Sequence, residues 1–281
     1  MENNRRYSGR GRRARRALLI FLLMACLSGA GYLGYLAAME LKETKQGGDF
    51  YARLAVFAES TPLSARDASA ADGNLPPEAT AQPEDAAVSR PSEVDFDALR
   101  QTCPDVVGWI RIEDSVIDYP IVRGVDNDYY LSHLADGTPN RAGCIMMDAS
   151  NHGDFSDDVT ILHGHHMRNG SMFGQLENYR EEAYYLEHKN IRLYTPAGDY
   201  EAVVFAACTV NGYTFGYPTS FRDEAEFETF LRRVQSAASY ETDVNVEYGD
   251  RILLLSTCAY SYDGARFIVL GKIIADGEAA Q

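Results

Sequence analysis

Positive charge is scarce in this 281-residue chain: 26 Lys+Arg stand against 41 Asp+Glu, a formal net charge of −15. Seven of those bases (Arg5, Arg6, Arg10, Arg12, Arg13, Arg15 and Arg16) fall in the first sixteen residues beside a single acid, Glu2, so the rest of the chain is more acidic still. Such a surface repels phosphate backbones, and the basic block has no interleaved aromatic ladder, which argues against nucleic acid as the main partner. Cysteine is also sparse. The five, at 26, 103, 144, 208 and 258, have no paired short spacing, so neither a disulfide framework nor a zinc knuckle is indicated. No internal repeat is evident. Apolar residues are not lacking: at 46% hydrophobic and 24% charged, the composition excludes wholesale disorder.

After the arginines, residues 17–39 (ALLIFLLMACLSGAGYLGYLAAM) carry no charge at all. At about 1.5 Å per residue a helix over this run reaches about 35 Å, enough for a hydrocarbon core of about 30 Å. Arginines before it and Glu40 after it favour an inside N-terminus and an outside C-terminus. Leu36-Ala37-Ala38 weakly resembles a signal-peptidase site, but the apolar run is long for a cleaved signal, so an uncleaved anchor is expected. The expected organisation is a cytoplasmic tail at 1–16, a transmembrane anchor at 17–39, a stalk and disordered linker at 40–92, a folded domain at 93–276 and a tail at 277–281. Tyr51, Leu54 and Phe57 lie at rough helical spacing within the stalk. From 60 to 92 the chain is rich in Ala, Ser, Pro, Asp and Glu, without aromatics or periodicity.

The folded part reads as mainly β. A short helix with Phe96 and Leu99 on one side precedes eight strand candidates: Val106–Ile112, Val116–Val122, Gly143–Met147, Val159–His163, Ile191–Tyr194, Tyr200–Val210, Arg251–Thr257 and Arg266–Ile274. One late helix interrupts them, with Asp223 as cap, Glu226 three residues on, and Phe227, Phe230, Leu231, Val234 and Ala238 as its apolar stripe. Eight strands with few helices predict a closed or nearly closed barrel.

Three features could carry chemistry. Leu162-His163-Gly164-His165-His166-Met167 follows an apolar strand, where a rigid scaffold can present side chains to a cleft. Leu255-Ser256-Thr257-Cys258 ends another, and Arg266 opens the next strand after a short loop, so a hairpin would bring Arg266 near Cys258. A free thiol is only slightly ionised at neutral pH, and a neighbouring imidazolium or guanidinium favours the thiolate. Histidine can protonate a departing amine, and arginine can hold an oxyanion through several donors. A cysteine-nucleophile site results. Two rivals are a zinc hydrolase using His163, His165 and His166, and a non-catalytic surface domain. Neighbouring strand residues point apart, which disfavours a three-histidine ligand set.

The chain from about Val94 to Ile274 resembles the sortases, specifically class B, the membrane-anchored cysteine transpeptidases of Gram-positive bacteria. The resemblance rests on ordered motifs: Asp105-Val106-Val107-Gly108-Trp109-Ile110, Ile117-Asp118-Tyr119-Pro120-Ile121-Val122, Asp126-Asn127-Asp128-Tyr129-Tyr130-Leu131, Gly164-His165-His166-Met167 with Gly170-Ser171-Met172-Phe173, and Leu255-Ser256-Thr257-Cys258 with Arg266. The residues alone do not choose among His163, His165 and His166; the family's histidine directly follows the glycine, which selects His165. The resemblance implies an eight-stranded sortase barrel with Cys258 as nucleophile, His165 as acid and base, and Arg266 positioning the motif and the oxyanion. It further implies that Asn127, Leu131, Ser256 and Thr257 line the substrate groove. No cofactor and no metal are expected. The implied partners are secreted proteins bearing a C-terminal sorting motif cleaved after Thr, a cell-wall peptide amine or a pilin amine as acceptor, and the membrane through the N-terminal helix. Cys103, Cys144 and Cys208 are extra cysteines for this family, with Cys208 expected to be buried. Residues 149–153 stand where family members often carry a Tyr-Arg-Asn-like sequence.

Overall fold

The computed structural model describes residues 5–58 and 92–275. The expected linker from 60 and the tail at 277–281 lie outside the described residues, apart from Ser92. The chain divides into two compact units, Met1–Gly48 and Asp49–Gln281. The first is helical. Helix α1 (Arg5–Leu54) carries the uncharged run, and large apolar side chains from Leu18 to Met39 are exposed along it. That density of exposed Leu, Ile and Phe suits hydrocarbon rather than water. Among the described residues, Leu18–Ala58 is the one helical stretch long and apolar enough to cross a membrane.

The second unit begins inside the stretch read as a stalk. The last turns of α1 and the 3-10 helix Ala55–Ala58 bury Phe50, Tyr51, Leu54 and Ala58 in the main core. The helical spacing noticed in the sequence is therefore a packing face. The Asp95 N–H donates to Phe57 O at 3.0 Å, tying this segment to helix α2 (Phe96–Thr102). Asp95 also caps α2, accepting from Ala98 N at 3.0 Å, while Phe96 and Leu99 are buried as expected.

All eight expected strands form: β1 (Val106–Arg111), β2 (Asp118–Val122), β3 (Ile145–Met147), β4 (Val159–His163), β5 (Asn190–Thr195), β6 (Gly198–Asn211), β7 (Arg251–Cys258) and β8 (Ala265–Ala275). They close a barrel in the order β1-β2-β3-β4-β7-β8-β6-β5. The β2–β3 and β4–β7 pairs are parallel, and the other pairs are antiparallel. A short helix α3 (Glu182–Glu187) precedes β5, and the late helix α4 (Glu224–Ala237) lies between β6 and β7. Asp223 caps α4 by accepting from Glu226 N at 2.9 Å.

Strand alternation decides where the site sits. Leu162 of β4, Leu253 and Leu255 of β7, and Phe267 and Val269 of β8 belong to the barrel interior. Their alternate neighbours Val159, Ile161, Ile252, Leu254, Ile268 and Leu270 face outward and pack with Phe227, Phe230 and Val234 of α4. Because side chains alternate with period two, continuing that outward row along each strand reaches His163, Ser256, Cys258 and Arg266. The helix covers the apolar part of the outer face, and the polar strand ends remain open to a cleft.

Candidate active site

The cleft holds about 310 Å³ and is lined by Asn127, Leu131, His165, Ser256, Thr257, Cys258 and Arg266, together with Met146, Asp148, His163, Gly164, Gly212 and Tyr217. All seven residues expected at the site from the sequence are thus brought to one surface. Cys258 and Arg266 face each other directly in the β7–β8 register. The hairpin expected from the short loop supplies this pairing, since the Ala259 N–H donates to Ala265 O at 3.0 Å and closes the turn. Cys258 and Arg266 are each partly exposed. Arg266 donates through one guanidinium nitrogen to Ala265 O at 3.1 Å.

The three histidines diverge. His163 Nε2 lies 2.9 Å from Asp148 Oδ2, His165 Nε2 lies 2.7 Å from Leu131 O, and His166 Nδ1 lies 3.0 Å from Cys258 O. Backbone carbonyls only accept, so His165 carries its proton on Nε2 and His166 carries one on Nδ1. In His165 the other ring nitrogen, Nδ1, is not engaged by this bond. Among the described residues, no group of three or more His, Cys, Asp or Glu side chains could hold a metal ion. The zinc arrangement weighed from sequence would need the three rings to converge, and each is turned to a different partner.

The floor of the cleft is a polar network. Asn127 donates to Asp148 Oδ2 at 2.9 Å and accepts from Ala149 N at 2.7 Å. Ser150 donates from both its N–H and its hydroxyl to Asp148 Oδ1. The His163 hydrogen bond is the main cause that holds the Asp148 carboxyl far below the usual carboxylate range, helped by Ser150 and opposed by burial. Ser256 is buried, and its hydroxyl pairs with Tyr217 at 3.1 Å. The Tyr217 hydroxyl is held above its ordinary pKa chiefly by burial, so it stays protonated. Thr257 points the other way along β7 and donates to Gly164 O at 2.8 Å, which fastens β7 to the histidine loop. Its hydroxyl thus braces the scaffold, while the residue itself still lines the cleft.

Asp148 and Tyr217 were not singled out from the sequence. Asp148 follows strand β3 directly, so a search for polar residues at strand ends would have found it. Tyr217 lies in the β6–α4 connection and meets Ser256 only through the tertiary fold. The polar stretch 149–153 has a structural use here: Asn151 is buried, donates to Val159 O and Asp157, and accepts from Ile161 N, pinning the edge of β4. The extra cysteines Cys103, Cys144 and Cys208 are buried and unpaired, and burial is the main cause that pushes each thiol up to about 12.

A family model described as the sortase domain matches residues 110–274. Sortase B of Listeria monocytogenes is 35% identical over 178 residues, covering 63% of this chain and 72% of that protein. Sortase B of Staphylococcus aureus is 34% identical over 181 residues, covering 64% and 74%. The solved structure of sortase B from Bacillus anthracis in complex with AAEK1 superposes with a TM-score of 0.68 at 31% identity, covering 84% of this chain and 99% of that one. A Staphylococcus aureus sortase B–substrate complex superposes with a TM-score of 0.61 at 34% identity, covering 64% and 84%. With a closed eight-stranded barrel and a cysteine, histidine and arginine around one cleft, the chain belongs to the sortase family, in its class B branch, and is a cysteine transpeptidase.

Proposed function

We propose that Cys258 is the nucleophile, His165 the general acid and base, and Arg266 the cation that orients the substrate and stabilises the oxyanion. The substrate is the C-terminal sorting motif of a secreted protein, cleaved after Thr. The Cys258 thiolate attacks the Thr carbonyl carbon and forms a tetrahedral oxyanion, to which Arg266 donates. As the C–N bond breaks, His165 gives a proton to the departing amine, leaving a thioester on Cys258. An acceptor amine then attacks the thioester. His165 takes its proton, the C–S bond breaks, and the new amide joins the motif to a cell-wall peptide. Asn127, Leu131 and Ser256 line the groove for the motif. The N-terminal arginines stay on the cytoplasmic side, residues 17–39 span the bilayer, and the barrel works outside.

One observation carries this assignment. Cys258 stands opposite Arg266 at the mouth of the cleft that also holds His165, while the other three cysteines of the barrel unit are buried. The fold leaves the acceptor open between a cross-bridge amine and a pilin lysine. Mass spectrometry of products from a small library of motif peptides, offered with several amines, tests the reading. The expected product is the motif fragment ending at Thr, linked to one amine class. Cleavage at another bond, or release without any amine adduct, would contradict it.

A further inference from the structure

Two separate supports hold His165, and both lead to Tyr51, a residue outside the cleft. The first support holds the ring. His165 Nε2 donates to Leu131 O at 2.7 Å, which fixes both tautomer and orientation. Leu131 ends the 3-10 turn Tyr129–Leu131. That turn is held by Cys144 N, which donates to Tyr130 O at 2.9 Å. Gly143 lies directly against it: a Cβ there would come within 2.6 Å of Tyr130 O and 2.9 Å of Leu131 O. Gly143 also adopts φ +59°, so glycine is required twice over. The Tyr51 hydroxyl donates to Gly143 O at 2.5 Å and lies 3.4 Å from Cys144 Sγ.

The second support holds the backbone. Phe173 N donates to His165 O at 3.1 Å. Met172, the preceding residue, has φ 54° and pairs with His166 in an isolated bridge. Its N–H donates to the Tyr119 hydroxyl at 3.1 Å. Tyr119 packs edge-on against Tyr51, with ring centroids 5.2 Å apart at 83°. Tyr51 itself is 6% exposed and sits in the main core.

We infer that Tyr51 is a positioning residue for His165, acting on one side through Gly143 and Cys144, which pack against and bond the Tyr130–Leu131 turn, and on the other through Tyr119. The segment just after the membrane anchor is then part of the catalytic scaffold. This inference rests on the proposed role of His165. A phenylalanine at position 51 keeps the ring against Tyr119 and removes the bond to Gly143 O, so it loosens the ring support alone.

The test uses the full chain carrying Tyr51→Phe. Active sites are counted by Cys258 alkylation, so that loss of folded protein is corrected for. We expect kcat per active site to fall on the order of tenfold with KM little changed, because a slightly misaimed base costs rate rather than binding. The pH profile of kcat and the NMR titration of the His165 ring should both move, while the titration of the exposed His152 stays in place. Wild-type kcat per active site overturns the inference. So does a fall in activity with unmoved pH profile and His165 titration, since that is what simple destabilisation produces. His165→Ala serves as the companion: retained activity there removes the acid–base role of His165, whereas an inactive His165→Ala beside a normal Tyr51→Phe rejects only the role of Tyr51.

Discussion

Gly164→Ala is the smallest change that should damage the site without touching a reacting group. Gly164 separates His163 from His165 where β4 leaves the barrel, donates to Ser256 O at 3.2 Å and accepts from Thr257 Oγ1 at 2.8 Å. A Cβ built there meets Ile145 Cδ1 at 2.6 Å and Phe173 at 2.6 and 2.8 Å. Ile145 can swing its terminal methyl aside. Phe173 is fully buried, and its ring has nowhere to go in a close-packed interior. Restoring ordinary contact therefore asks for a shift of about 1 Å, a displacement that costs about 100-fold in rate when it separates reacting groups. Overpacking of this kind costs about 1–3 kcal/mol of stability. Urea unfolding measures the stability, and steady-state cleavage of a fluorogenic sorting-motif peptide measures the rate. The stability loss and the rate loss should appear together. Wild-type kcat/KM in a destabilised Gly164→Ala protein would refute the idea that this glycine sets the distance between His165 and Cys258. Unchanged stability would refute the packing argument itself.

Two further outcomes are expected. Iodoacetamide on the folded protein should label Cys258 well ahead of Cys103, Cys144 and Cys208, whose thiols burial pushes up to about 12; peptide mapping reads the order, and comparable labelling of any of the three would contradict it. Arg266→Lys should lower kcat by about 100-fold, because a point charge does not reproduce a planar fork of donors at the oxyanion; wild-type kinetics would remove Arg266 from the mechanism.

The strands were legible because the barrel asks for local patterns: Ile252–Leu255 and Val159–Leu162 are apolar runs ending in polar residues, and the short loop before Arg266 announces the hairpin that aligns it with Cys258. The cap of α4 was equally local. What escaped depends on contacts distant in sequence. Tyr51 sits in a stretch that reads as a stalk because its buried face has no partner until Tyr119 and Gly143 are folded beneath it. Tyr217 reaches Ser256 across 39 residues, and His163 acquires its purpose only when Asp148, fifteen residues earlier, is brought alongside. The choice among the three histidines had the same origin. Their spacing is uninformative without the resemblance, which selects His165, and the folded chain gives each a different partner, Asp148, Leu131 and the Cys258 carbonyl.

Peptide-resolved mass spectrometry of the enzyme, quenched in acid during turnover of a sorting-motif peptide without an added amine, addresses the chemistry most directly. The mass of the motif fragment up to Thr should appear on Cys258 alone, and Cys258→Ala should give neither adduct nor cleavage while keeping the wild-type circular dichroism. Turnover by that folded variant, or an acyl group carried on any other residue, would contradict the account.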